Sequence, residues 1–183
     1  VREPSGTHVD WTRRVALRHL ERYATSEAHL VRVLKRKLHR RRSVDPDRWT
    51  LDETGIDRVV AEAVASCRAL GLIDDRSYAE TRTASGRRRG HSGRRLLATL
   101  ASRGVDREVA EAAVGADPDD DLRAALMFAR RRRFGPFGDG PAVDDDRRRA
   151  IASLCRQGFG YGVARAVVDM DREDAESRLG GNP

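Results

Sequence analysis

The stretch GRRRGHSGRRLLATLASRGVDREVAEAAV, residues 86–114, decides how the chain folds. Ser92 is a candidate N-cap, because its short side-chain oxygen can accept an orphan backbone N–H. Apolar residues follow it at Leu96, Leu97 and Leu100. Offsets of four, five and eight place them on one face of a helix. Gly104 then offers a turn that can take positive φ. Val105 adds an apolar residue, Asp106 a second cap, and Val109–Ala110 a second apolar stripe. The stretch therefore reads as helix, glycine turn, helix.

The same pattern occurs on either side. Ser26 and Asp146 align with Ser92 as caps. Leu30 and Ala150 align with Leu96, Val31 and Ile151 with Leu97, and Leu34 and Leu154 with Leu100. GIDRVVAEAV from Gly55 and GFGYGVARAVV from Gly158 align with GVDREVAEAAV from Gly104. Asp57 is the cap in the first copy, and Gly160 stands there in the third. A further helical stretch precedes each capped helix: WTRRVALRHLERY, DDRSYAETRTASGRRR and DDDLRAALMFARRRRF. Gly71 can end a helix before Asp74 caps the next, with Leu72 and Ile73 plugging the corner. β-branched alternation is absent over any useful length.

The expected architecture is therefore all-α, an elongated tandem array of three three-helix repeats. Repeat 1 covers 11–73, with an insertion at about 40–54. Repeat 2 covers 74–116. Repeat 3 covers 117–171, with a Gly- and Pro-rich loop at about 134–146. Residues 1–10 and 172–183 read as flexible tails.

Composition fits such a row. Aromatic residues are 5% and charged residues 36% of the 183, thin material for one large core but adequate for short amphipathic helices. Cys67 and Cys155 form no CxxC motif and read as buried free thiols in a reducing compartment. No apolar run reaches the ~20 residues of a membrane span, and VREPSGTHVD has no signal-like apolar region. Val1 reads as a non-standard start or a trimmed end. A cytoplasmic protein is the expectation.

The formal net charge is +7, which points to polyanions or acidic surfaces as partners. All basic residues except Lys35 and Lys37 are arginine. Genomic GC bias gives that outcome, and so does a need for planar forks that grip phosphate or carboxylate. The candidate partner- or DNA-binding residues fall into four groups. The densest is Arg82, Arg87, Arg88, Arg89, Arg94 and Arg95. The others are Lys35, Lys37 and Arg41; Arg130, Arg131, Arg132 and Arg133; and Arg147, Arg148 and Arg149. Cations at a helix C-terminus complement the dipole, which accounts for Arg87–Arg89 and Arg130–Arg133. Arg94, Arg95 and Arg147–Arg149 are expected in first turns, where cations beside free N–H groups make an anion site.

GLIDDRSYA, followed by GRRRGHSGRRLLATLASRGVD, resembles the central signature of the RecX family. SEAHLVRVLKRKL is similar to that family's first capped helix, and RRRRFG with LCRQGFGYGVARAVV to its third unit. The resemblance spans roughly residues 11–170. It implies three-helix units in tandem. It also implies a regulator that binds RecA recombinase filaments on single-stranded DNA and restrains them in repair and recombination. The two insertions and Gly160 depart from the family pattern.

Enzyme motifs are missing: no GxxxxGK[ST], no HExxH and no metal-ligand pair occur among His8, His19, His29, His39 and His91. These histidines read as exposed helix residues. The acidic runs 117–121 and 144–146 read as helix starts. No cofactor or metal is expected, and a monomer is. The competing reading is a basic helical module that binds single- or double-stranded DNA without sequence preference. Trp11, Trp49, Tyr23, Tyr78 and Tyr161 look too scattered for a stacking platform, so such binding would be weak and salt-sensitive.

Overall fold

The computed structural model describes residues 6–138, 140 and 144–180. Among them every regular element is helical: α1 (Gly6–Leu20), α2 (Glu27–Val44), α3 (Glu53–Ala69), α4 (Asp75–Arg88), α5 (Gly93–Arg103), α6 (Arg107–Val114), α7 (Pro118–Arg132), a 3-10 turn (Gly135–Phe137), α8 (Asp144–Arg156), α9 (Tyr161–Asp169) and α10 (Arg172–Gly180). The chain divides into two compact units. The first is Val1–Tyr78 with Ser102–Asp106; the second is Ala79–Ala101 with Arg107–Pro183.

In the first unit α1, α2 and α3 pack on one another. Ser26 caps α2 by accepting the His29 N–H at 3.3 Å. Leu30, Val33, Leu34 and Leu38 then form the buried stripe that the capped pattern requires. Leu30, Leu34 and Leu38 meet Val15 and Ala16 of α1 and Val59, Val60, Ala63, Val64 and Cys67 of α3. Gly71 ends α3, with the Leu72 N–H on the Cys67 carbonyl at 2.9 Å and the Gly71 N–H on that of Arg68 at 2.9 Å, a Schellman closure. Ile73 is buried in that corner and Leu72 is exposed.

In the second unit Asp117 caps α7, Pro118 opens it, carboxylates fill its first turn and arginines its last, the order the helix dipole favours. Ala124, Ala125, Leu126, Phe128 and Ala129 of α7 pack with Ile151 and Leu154 of α8 and with Ala164, Val167 and Val168 of α9.

Several expectations are corrected. α1 begins at Gly6, inside the expected tail. His8 and Thr12 are buried, and the His8 ring packs edge-on against Trp49 at 4.9 Å. The other tail holds α10, because Ala175 and Leu179 add to the second unit's core; residues 181–183 lie outside the described part. α2 continues to Val44, so part of the first insertion is helix, and Trp49 and Leu51 tuck the rest into the core. Asp52, not Asp57, caps α3 by accepting the Gly55 N–H at 2.8 Å. Gly55 consequently sits inside the helix and not in a turn. α8 begins at Asp144, so Asp146 belongs to its first turn and does not cap it. Residues 139 and 141–143 of the expected loop lie outside the description. Cys67 is buried, but Cys155 is exposed, one residue past the inward Leu154.

Leu34, Leu100 and Leu154 are 0%, 2% and 0% exposed. Truncating any one to alanine removes a full buried side chain and leaves a cavity, at a cost of ~2–5 kcal/mol. Urea unfolding should show that loss at all three; near-wild-type midpoints at two of them would mean the three positions are not equivalent.

Candidate interaction surface

The corner between α4 and α5 carries the densest arginine cluster, and its geometry sorts those arginines. α4 ends in a Schellman closure, with the His91 N–H on the Gly86 carbonyl at 3.0 Å and the Gly90 N–H on that of Arg87 at 2.8 Å. Gly90 has φ +71°, and a Cβ there would meet the Phe128 nitrogen at 2.8 Å. Only glycine brings the corner this close to α7.

Arg87 turns inward and ion-pairs with Asp121 in the first turn of α7. The same Oδ1 accepts the Gly93 N–H, the first of α5, at 2.8 Å. Ser92 completes the cap: its Oγ accepts the Arg95 N–H at 3.2 Å and donates to the Gln157 carbonyl at 2.8 Å. Arg95 also reaches the Gln157 side chain at 2.5 Å. The anion site expected at this helix start is thus already served by the chain's own Asp121. What remains facing solvent is Arg88, Arg89 and Arg94, all exposed and without an acidic partner among the described residues.

A cavity of about 100 Å³ at this corner is lined by residues that include Arg82, Arg89, His91 and Arg95, with no acidic side chain among the described residues. The Thr83 hydroxyl on its wall is buried and unpartnered. Burial, and then Arg95, Arg131, Arg89 and Arg82, hold the His91 imidazole below its ordinary 6.5.

The first unit repeats the serine joint. Ser26 Oγ donates to the Arg103 carbonyl at 2.6 Å, and Asp75 accepts the Glu27 N–H at 2.8 Å. Glu27 is also bridged by Arg68 at 2.5 Å. Neither the carbonyls nor Asp75 and Asp121 carry a sequence signal for this role; only the two capping serines do.

The other candidate cations divide likewise. Lys35 pairs with Asp57 at 2.6 Å. Arg147 makes two 2.7 Å bonds to Asp169, which hold that carboxyl below its usual range. Arg149 meets Asp146 at 3.2 Å and Arg148 meets Asp145 at 4.0 Å. These three follow the first turn of α8, whose Asp144–Asp146 already complement the dipole, so the expected first-turn anion site does not form there. Arg130, Arg131 and Arg132 close α7; Arg133 caps it at φ 55°. Arg131 and Arg132 sit 5.8 and 5.9 Å from the Phe128 ring.

The aromatics are less scattered than the sequence suggests. Trp11 and Trp49 stack edge-on at 4.9 Å, and the Arg41 guanidinium lies 5.5 and 5.2 Å from their rings. Lys37 and Tyr23 line the same face. The histidines also differ from expectation: His8 is buried and the other four are half-buried. Among the described residues no group of three His, Cys, Asp or Glu is placed to hold a metal, and no helix is long and apolar enough to cross a membrane.

A family model described as "RecX, second three-helix domain" matches residues 74–114, the span from the Asp74 cap through α6. The chain is 32% identical to "Regulatory protein RecX" of Agrobacterium fabrum over 99% of its own length and 94% of that protein's. It is 32% identical to "Regulatory protein RecX" of Myxococcus xanthus over 93% and 89%. "Crystal structure of RecX from Lactobacillus salivarius" superposes with a TM-score of 0.66 at 17% identity, covering 96% of this chain and 99% of that one, a likeness of fold.

Two outcomes follow from the geometry. Asp121→Ala strips α5 of an acceptor and leaves Arg87 half-buried without its pair, so urea unfolding should show a loss of about 1–3 kcal/mol. The exposed neighbour Asp119→Ala should cost less. The second outcome concerns acid. Burial first, and neighbouring cations after it, lower the His19, His29 and His91 pKa values from 6.5. Above that value both folded and unfolded chains are neutral at these sites. Below it the unfolded chain takes up the protons first, so stability falls as pH drops from about 6.5. Melting temperatures at neutral and mildly acid pH should show the decline, and replacing the three histidines with glutamine should flatten it.

Proposed function

The chain belongs to the RecX family, and from that premise we propose that it is a regulatory protein that binds RecA filaments on single-stranded DNA and restrains their recombinase and ATPase activity. The observation that carries this reading is the sorting of the α4–α5 corner. Arg87 and Arg95 are spent on the fold, while Arg88, Arg89 and Arg94 are exposed without a counterion among the described residues. A protein that places three adjacent cations on a backbone corner fixed by buried hydrogen bonds presents a pre-organised surface for carboxylates or phosphates. Arg130 and Arg131 of α7 extend it. Lys35 and Arg147–Arg149, which pair internally, contribute less.

This reading takes α1–α3, α4–α6 and α7–α9 as three copies of one three-helix unit, with the serine joint linking each capped helix to the next copy. A monomer working in the cytoplasm fits it. A second reading, direct contact with DNA phosphate, is favoured by the cavity of Arg82, Arg89, His91 and Arg95 with its unpartnered Thr83 hydroxyl. Affinity for RecA–single-strand filaments well above that for bare DNA at moderate salt supports the first reading; equal affinities support the second.

The triple variant Arg88→Glu, Arg89→Glu, Arg94→Glu keeps Arg87, Ser92 and Arg95, so helicity and melting temperature should hold. The dipole mildly favours Glu near the start of α5. Facing an acidic partner, attraction becomes repulsion worth several kcal/mol. RecA-driven ATP hydrolysis on single-stranded DNA should escape inhibition. A folded variant that inhibits at wild-type concentrations would remove this corner from the working surface.

A further inference from the structure

The first unit carries a feature of a different kind, a cleft of about 500 Å³ lined by residues that include Trp11, Arg18, His19, Tyr23, Lys37 and Arg41. It shares Trp11, Lys37 and Arg41 with a neighbouring cavity of about 260 Å³ that runs on to Arg40 and Val44. No acidic side chain lines either one. Flat rings and cations therefore meet along one strip with nothing to repel a polyanion.

Three details give the strip a chemistry. Tyr23 is 59% exposed, an open π-face tilted against the His19 ring at 5.2 Å. The Arg41 guanidinium lies over Trp11 and Trp49, a cation held against two rings. The His19 ring lines the cleft beside Tyr23, and its Nε2 is buried without a hydrogen-bond partner among the described residues.

We propose that this cleft binds single-stranded DNA, with a base stacked on Tyr23 and the adjoining phosphates held by Arg18, Lys37 and Arg41. Sequence-tolerant binding of single strands is built from such parts: aromatic faces for bases and a cationic track for the backbone. A duplex would keep its bases stacked away from the ring. An acidic peptide would satisfy the cations and leave the open ring uncovered. Burial, and then Lys37 and Arg36, lower the His19 pKa from its ordinary value.

The full-length protein reports on the cleft directly, since its 2 tryptophans are the pair beneath Arg41. A short oligothymidylate should quench tryptophan fluorescence saturably at moderate salt. An abasic strand of equal length should bind about tenfold more weakly. Tyr23→Ala should lower thymidylate affinity about tenfold and leave abasic binding unchanged, while Tyr23→Phe retains both. In the triple variant at Arg88, Arg89 and Arg94 the preference for thymidylate over the abasic strand should persist, which separates this cleft from the surface in the second unit. Equal binding of thymidylate and abasic strand overturns the proposal. So does an unchanged affinity in a Tyr23→Ala chain of normal helicity, or quenching by an acidic peptide with none by thymidylate.

Discussion

Two buried serine hydroxyls set the register of this fold. Ser26 and Ser92 are each 0% exposed, and each uses both capacities of its hydroxyl. It accepts an N–H three residues ahead, starting a helix, and donates to a carbonyl 77 or 65 residues away. A buried hydroxyl left half-satisfied costs about 1–3 kcal/mol, a large share of a small protein's stability. The bond is also directional. Apolar side chains with few aromatics can slide against one another at little cost; this hydroxyl cannot. The glycine that follows each acceptor region enforces the approach. A Cβ at Gly104 would lie 2.6 Å from the Ala28 Cβ, and one at Gly158 would lie 2.7 Å from Ser92 Oγ.

That division explains what the sequence made legible. Local chemistry was readable: the serine caps, the offsets ending at Leu34, Leu100 and Leu154, and the glycine that closes α3. These depend on residues within one or two turns. Asp57 and Asp146 were misread because any Asp near a helix start looks like a cap. Asp52 stood a few residues earlier with an equal claim, and α8 already begins at Asp144. His8 and Ala175 were misread because a helix of weak periodicity needs a partner core to hold it, and the partner is distant in sequence. The serine's second bond, and Asp75 and Asp121 as acceptors, carry no local signature at all.

The same distinction governs the candidate surface. Counting arginines located the α4–α5 corner but could not tell which of them face outward. Arg87 and Arg88 are adjacent in sequence, yet one is half-buried against Asp121 and the other is exposed. A helix turns about 100° per residue, so a run of arginines necessarily points in several directions. The structure assigns some to folding and leaves the rest available. Trp11 and Trp49 show the converse. Neither looked functional alone, because α2 separates them in the chain while the insertion carries Trp49 back onto α1.

The outward arginines owe their position to the inward groups. Arg88 and Arg89 follow Arg87 at the end of α4, and Arg94 follows Gly93 at the start of α5. Asp121 grips both Arg87 and the Gly93 N–H. One carboxylate therefore fixes the spacing of the two halves of the basic surface. Like charges on one corner repel, by an amount that salt screens over about 10 Å at 0.1 M, and a flexible loop would relax by spreading them apart. Here the spreading is opposed by a charge-assisted pair, a capped helix start and a glycine with no room for a side chain. The repulsion is retained by the fold. The fold already maintains the constraint that keeps these cations in place.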